Sequence, residues 1–380
     1  MRTTTRSTAV VAVTVVSAAL TLAACGSSKK TTTTPPSGGS TTSSSGGTAS
    51  GGAQVGVILP DTTSSARYTQ YDAPLLTKAF NDAGIKADIQ NAQGDNARFV
   101  SISQSMISEG VKVLLIDPAD PQTGISVETA AKAAGIPVID YDRVNLGGSA
   151  QYYVSFDNVK VGELQAQTLM SCLAGKTDPQ IIELNGGTDI DNNAVLFKKG
   201  AHNILDPLVS QGKVKIAKEE DVSKWDNTTA ATDFQQLLTA NGGKVDGVLA
   251  ANDGIGGAAI GILKSKGLKV PVTGQDATTQ GLQYILTGEQ CMTVFKDVSK
   301  EADAASKLAI ALAKGDTATA SSLATGTLHD PTGNRDIPSV LLTPEAITKA
   351  NIKDVVTAGA VTAAELCKGV EAACTAAGIS

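Results

Sequence analysis

Histidine is almost missing from this chain: His202 and His329 are the only two in 380 residues. Both fall in helix or loop surroundings with no nucleophile pattern beside them. Neither a Ser-His-Asp order nor a metal-ligand spacing can be assembled around them, so no enzyme activity, metal or cofactor is expected. The glycine-containing stretch GGTDIDNN (186–193) lacks both the dinucleotide and the Walker A spacings. One catalytic class stays open, because two Asp at strand ends can face one another as a glycosidase pair. Aromatic residues make up only 3% of the chain. The core must therefore be built from aliphatics, which suits an α/β fold. A positive excess is missing too: 31 Lys and Arg stand against 37 Asp and Glu, and this acidic balance argues against nucleic acid as a partner.

Long apolar runs are also lacking. The run from Ala9 to Leu22 falls short of the ~20 residues that span a bilayer. It follows Arg2 and Arg6 and leads into LAAC at 22–25, the n-region, h-region and small residues of an export signal ending on a cysteine. The expectation is a lipoprotein signal over 1–25, with Cys25 lipidated and the protein held on the outer face of the cell membrane or in a periplasm. Residues 26–52 are a Ser/Thr/Gly tract too poor in apolar side chains to fold. As a tether, a coil of that length spans ~30 Å.

Four cysteines follow Cys25: Cys172, Cys291, Cys367 and Cys374. An even number in an exported protein implies two disulfides. Seven residues along one helix rise ~10.5 Å, beyond the roughly 7 Å that a disulfide tolerates between Cα atoms. Pairing Cys367 with Cys374 therefore requires the helix to break, and Gly369 is the place for it. Cys172 and Cys291 are then the other pair.

The remaining chain, from about Ala53, repeats one unit. A helical pattern stops on Gly and runs into an apolar strand, as in AGIKADIQNA, EGVKVLLIDP, AGIPVIDYD and KGLKVPVTGQD. Glycine past a helix end takes the left-handed conformation that stops it, and continuous Val/Ile/Leu strands are those covered on both faces. The expected class is α/β, with two doubly wound parallel-sheet lobes. Strands are expected near 54–60, 87–91, 111–117 and 137–142, followed by YYVSFDN. A second series is expected near 180–185, 214–219, 246–251, 270–274 and 291–295. The chain is expected to cross between lobes at VSFDN, near TVFKD and near PSVLLTP.

Open α/β sheets bind ligands at the carboxyl ends of their strands. Reading off those ends gives Asp61, Arg67, Tyr68, Asp142, Arg143, Asp157, Asn158, 189–193, Trp225, Asn252, Asp253, Gln275, Asp276 and Lys296. Asp, Asn and Arg offer paired donors or acceptors in fixed geometry, which match vicinal hydroxyls. Trp225 and Tyr68 supply apolar plates for a sugar face. Together they describe a neutral polyhydroxylated ligand. Plainer roles exist for each: a local ion pair for Asp142 and Arg143, helix caps for Asp191, Asn252 and above all Asp253, a core position for Trp225, and a solvated charge for Lys296.

YDRVNLGGSAQYYVSFDNVKVGELQAQTL, DNNAVLFKKG, LLTANGGKVDGVLAANDGIGGAAI, VTGQDAT and MTVFKDV resemble the periplasmic sugar-binding proteins of bacterial ABC transporters. The ribose-binding-like type I fold is theirs, and the likeness is to their D-xylose-binding kind. It extends from about Val55 to Leu342. It implies a monomeric solute receptor whose lobes, 53–157 with 296–338 and 158–295 with 339–380, join through three hinge crossings. The lobes close on one monosaccharide, D-xylose being favoured, and present it to an ABC permease. A receptor feeding a membrane sensor is the alternative within the same fold. The family's contact positions fall on Arg67, Asp142, Arg143, Asp191, Asn193, Trp225, Asn252, Asp276 and Lys296. Tyr68 stands where a tryptophan is usual, in a first loop, PDTTSSARY, that is longer and richer in hydroxyls. The C-terminal ELCKGVEAACTAAG has no counterpart in the resemblance.

Overall fold

A computed structural model describes residues 52–379. The signal segment, Cys25 and all but the last residue of the tether lie outside the described residues. Among the described residues no helix is long and apolar enough to cross a membrane.

The first lobe is built on β1 (Val55–Leu59), β2 (Ala87–Asn91), β3 (Val113–Ile116), β4 (Val138–Tyr141) and β5 (Tyr152–Phe156). Between them lie α1 (Ala73–Asp82), preceded by a π-helical turn at Tyr68–Asp72, then α2 (Asn96–Ser108) and α3 (Pro121–Ala133). Asp95 and Asp120 cap α2 and α3 by accepting from Arg98 N and Thr123 N. Gly110 and Gly135, at φ 80° and 73°, turn the chain out of those helices into β3 and β4.

The second lobe carries α4 (Asn158–Cys172), β6 (Gln180–Asn185), α5 (Asn192–Ser210), β7 (Lys215–Asp221), α6 (Asn227–Ala240), β8 (Gly247–Ala250), α7 (Asp253–Ser265), α8 (Thr279–Thr287) and β9 (Thr293–Phe295). The chain then returns to the first lobe for α9 (Val298–Ala313), α10 (Thr317–Leu323), β10 (Gly326–Asp330) and β11 (Arg335–Leu342). It ends in the second with β12 (Glu345–Ile347), α11 (Lys353–Thr357), α12 (Ala363–Cys367) and α13 (Glu371–Ala376).

The first sheet runs β10-β11-β5-β4-β3-β1-β2, parallel except for β10 against β11. Its strand order reverses between β1 and β3. The smaller sheet, β7-β6-β8, is parallel and reverses between β6 and β8. Each reversal leaves a crevice at the carboxyl ends of its strands, and the lobes set the two crevices face to face. Each sheet is covered by its own buried aliphatic clusters.

Three expectations need correction. Residues 270–274 do not form a strand of the parallel sheet; they meet β8 through the bridge of Val248 to Val272 and through the Thr273 hydroxyl, which accepts from Ala250 N and donates to Ala250 O. Pro271 lacks the N–H that a ladder needs. The run at 291–295 is regular only over β9, which pairs antiparallel with β12 after the third crossing. The boundary expected at 338 falls inside β11, whose residues Ser339–Leu342 pair with β5.

Disulfides join Cys172 to Cys291 and Cys367 to Cys374. The second has its Cα atoms 5.7 Å apart, a distance reached because the helix breaks at Gly369, φ 82°. The C-terminal segment packs Leu366 and Cys374 into a small core with Leu282, Ile285 and Leu286 of α8.

Candidate ligand site

Between the facing crevices lies a small cavity of about 30 Å³. That is well below the roughly 300–1,000 Å³ typical of ligand sites, because the side chains of the two closed lobes fill most of the space. All ten residues singled out by strand position and resemblance line it: Arg67, Tyr68, Asp142, Arg143, Asp191, Asn193, Trp225, Asn252, Asp276 and Lys296. Ser64, Ser65, Phe197 and Gln275 line it as well. Phe197 was readable in principle, since it follows Asn193 by four residues on the inward face of α5. The two serines sit in a loop whose path no local pattern fixes.

The apolar run VIDY stops on Asp142 and Arg143 because β4 ends at the cavity. Asp142 takes a left-handed φ of 60°. Its carboxylate accepts from Arg67 Nη1 at 3.0 Å and Tyr68 Oη at 2.9 Å, with Lys296 Nζ at 3.4 Å. Burial pushes this carboxyl up, but Arg67, Lys296 and Arg143 outweigh it and hold Asp142 well below the usual carboxylate range. Arg67 is itself clamped by Asp72 and by Glu301 from α9, at 2.7 and 2.5 Å, and Tyr141 donates to Asp72 behind it. Arg67 thus spends most of its donors on protein carboxylates and acts on the cavity largely through Asp142.

Arg143 is less satisfied. Its Nε lies 3.3 Å from Asp191 and 3.7 Å from Asp117, with no well-aligned hydrogen bond to either. Its remaining contacts are Ser64 Oγ at 3.2 Å and Pro118 O at 3.4 Å. A buried guanidinium with spare donors is poised for a ligand oxygen. Burial raises the Asp117 and Asp191 carboxyls, and Arg143 opposes both shifts. Tyr68 lies between the two guanidiniums, 5.6 and 5.7 Å from its ring centre.

From the second lobe, Asp191 caps α5 by accepting from Asn193 N and also accepts from Trp225 Nε1 at 3.1 Å. Trp225 is therefore both a core residue, 5% exposed, and a wall of the cavity. Its indole meets Phe197 edge-on, ring centres 6.2 Å apart, and rests on Gly186. A Cβ on Gly186 would lie 2.1 Å from the ring. Trp225 and Asp276 hold φ of 58° and 95°. Left-handed backbone at a bulky Trp costs energy and persists at sites where the surroundings impose it.

Asn252 is the cap of α7, accepting from Ile255 N. Asp253, expected as that cap, is instead buried and accepts from Gln290, Thr293 and Thr278. The reason is its inward direction on the first turn, which lets it tie α7 to the start of α8. Lys296 is not a solvated charge: it is buried between Asp142 and Asp276. Asp61 holds its own loop by accepting from Thr63 and Ser64, Asp189 accepts from Ser223 and Lys224 in the turn that carries Trp225, and Asp157 caps α4.

Several contacts join the lobes directly. Ser65 Oγ donates to Asp276 at 2.8 Å, Asn193 Nδ2 to the Asp142 carbonyl at 2.9 Å, and Tyr153 Oη to Asn193 at 3.2 Å. The cleft is closed, with a polar, water-excluding interior and aromatic rings on one side. No histidine, thiol or activated hydroxyl lines it.

Residues 55–317 match the model of the periplasmic binding protein domain. The chain is 39% identical over 290 residues to the D-xylose-binding periplasmic protein of Escherichia coli, covering 76% of this chain and 84% of that one. It is 37% identical over 289 residues to the D-xylose-binding periplasmic protein of Haemophilus influenzae, with the same coverage. A carbohydrate transporter solute-binding protein from Chloroflexus aurantiacus, solved with D-glucose, superposes with a TM-score of 0.74 at 30% identity, over 82% of this chain and 98% of that one. Fold, cavity and relatives agree: the chain belongs to the periplasmic binding protein family, as a non-enzymatic, exported sugar-binding protein of the kind that serves ABC transporters.

Proposed function

We propose that the sugar is D-xylose, that lipidated Cys25 anchors the protein to the outer face of the cell membrane, and that the monomer hands its ligand to an ABC permease. The observation that carries the ligand reading is the small cavity between two switch points, with charged planar groups around it and Trp225 and Phe197 as apolar plates. A neutral polyol with one apolar ring face satisfies such a lining. The relatives at 37–39% identity bear the name of xylose.

In the open form the two crevices face water. A sugar gains the contacts of both lobes only when they close, and that differential affinity shifts the population. Arg143, Asp142 and Tyr68 bind from the first lobe, with Arg67 behind Asp142. Asp191, Asn193, Trp225, Asn252 and Asp276 bind from the second, while Lys296 bridges the two at the hinge. Closure expels water and strengthens each charged hydrogen bond.

A hexose receptor is the second reading, favoured by the D-glucose in the Chloroflexus structure. Calorimetric titration with xylose, ribose, arabinose, glucose and galactose, with Trp225 fluorescence followed in parallel, tests both. Tight one-to-one binding of xylose with a change in the tryptophan signal is expected. Glucose binding more tightly than xylose selects the second reading, and silence toward every monosaccharide overturns the site. For the anchor, Cys25→Ser is expected to move the protein from the membrane to the aqueous fraction; equal membrane retention refutes lipidation.

A further inference from the structure

Glu183 sits within β6 and is not among the residues that line the sugar cavity. Its side chain is fully buried, and no well-aligned hydrogen bond reaches either carboxylate oxygen, the nearest charged partner being the His202 imidazole. A desolvated carboxylate without donors is among the costliest groups to bury. The residue beside it makes the cost worse. The β6–β7 pairing shifts register between Ile181 and Ile182, opposite an extra residue, Ala217. Without that bulge Glu183 would face Lys218, an opposite charge. With it, Glu183 faces Glu219. Bulges re-aim side chains, and this one exchanges an attractive pair for two like charges side by side.

The third member comes from α5. His202 Nε2 lies 3.3 Å from Glu183 Oε2 and 3.9 Å from Glu219 Oε1, and it too lacks a hydrogen-bond partner. One ligand atom from each of the three lies within 4.8 Å of the others. The imidazole is steadied from behind, with Nδ1 2.8 Å from Asp206 Oδ1. That is the carboxylate–histidine arrangement that aims the other ring nitrogen at a metal. A tetrahedral ion with N and O ligands at about 2.0–2.2 Å spaces those atoms by ~3.4 Å; His202 Nε2 meets that spacing with Glu183 at 3.3 Å, while Glu219 at 3.9 Å must draw in. His202 and Glu219 are partly exposed, so an ion has a way in and a position left for water.

We propose that Glu183, His202 and Glu219 form a divalent-cation site, with zinc the fitting ion, that ties α5 to β6 and β7. No histidine spacing in the sequence reveals it, because the three ligands come from three elements. Lys198 is the competing cation: its Nζ lies 2.5 Å from Glu219 and 3.2 Å from Asp221, and Asn185 also donates to Glu219. The ion displaces Lys198 toward Asp221.

The test is zinc uptake by the purified full chain after stripping with a chelator, measured by titration calorimetry and by metal content after dialysis. One equivalent is expected to bind at micromolar or lower concentration. His202→Asn and Glu183→Gln are expected to weaken it by about tenfold or more. Lys198→Ala is expected to tighten it, and His329→Asn, at the exposed histidine on β10, to leave it unchanged. If Glu183→Gln fails to fold, His202→Asn still decides the matter. No uptake by the unmodified chain, or equal uptake by the His202→Asn variant, overturns the site and leaves the imidazole as a plain ionic partner of Glu183.

Discussion

Replacing Gly186 with alanine tests the cavity by one methyl group placed outside it. The backbone there allows alanine, so the effect is steric alone. The added Cβ would fall 2.1 Å from one indole carbon of Trp225 and 2.4 Å from two others, so the ring must retreat by roughly 1 Å to regain ordinary contact. It cannot sink into the lobe, because the buried cluster that includes Ala230 and Phe234 is packed against it there. It therefore moves toward the cavity, loses its bond to Asp191 and blocks the plane a sugar face would use. Overpacking of this kind costs about 1–3 kcal/mol. If that cost falls on the closed, liganded form, affinity drops by about fivefold to 150-fold. Titration calorimetry reads the affinity, and tryptophan emission reads the ring's surroundings in the same samples. Gly187→Ala, whose Cβ would come no nearer than 3.0 Å, is the milder comparison. Wild-type affinity with unchanged emission in Gly186→Ala would refute the placement of Trp225 as a cavity wall.

Three further outcomes are expected. Trp225→Ala should abolish most sugar binding while the circular dichroism spectrum stays native; near-normal affinity removes Trp225 from the site. Burial raises the Glu301 carboxyl to about 8 against the pull of Arg67, so the native state binds more protons than the unfolded chain between about 4.5 and 8. Stability contributed by this group is full below about 4.5 and is lost as pH rises to about 8; urea midpoints should show that decline, and Glu301→Gln should flatten it. Removing the Cys172–Cys291 bridge, whose ends are 119 positions apart, should cost about 5 kcal/mol against about 2.4 for Cys367–Cys374, 7 positions apart. Equal losses in denaturant unfolding would refute the loop-entropy reasoning.

Much of the site was legible because the fold puts function where strands end. Each apolar run closes on its polar residue, and the run itself says which residue that is. Trp225 stands four residues past the end of β7 at Asp221, and its assignment drew on that strand end, on its use as an apolar plate and on the family resemblance. The partners that tune these residues were not legible. Asp72 and Glu301 reach Arg67 from a π-helical turn and from α9, 234 residues away in the second case, and nothing local marks them. Asp253 was misread for a related reason. A carboxylate at a helix start has two uses, and only its direction toward Thr278, Gln290 and Thr293 separates them.

By itself the sequence determined the two α/β series, because glycine stops and aliphatic runs act over a few residues and carry their own geometry. It also determined the chemistry offered at the strand ends, and with the condition on Gly369 it determined how Cys367 and Cys374 can meet. Tertiary structure decided which of the offered groups converge, since the two crevices meet only when separate sheets are set face to face. It decided that Pro271 keeps its segment out of the parallel ladder. It decided as well, through one extra residue in β7, that Glu183 stands beside Glu219 and not Lys218. Register between strands depends on the sum of distant packing, and no window of sequence contains that sum.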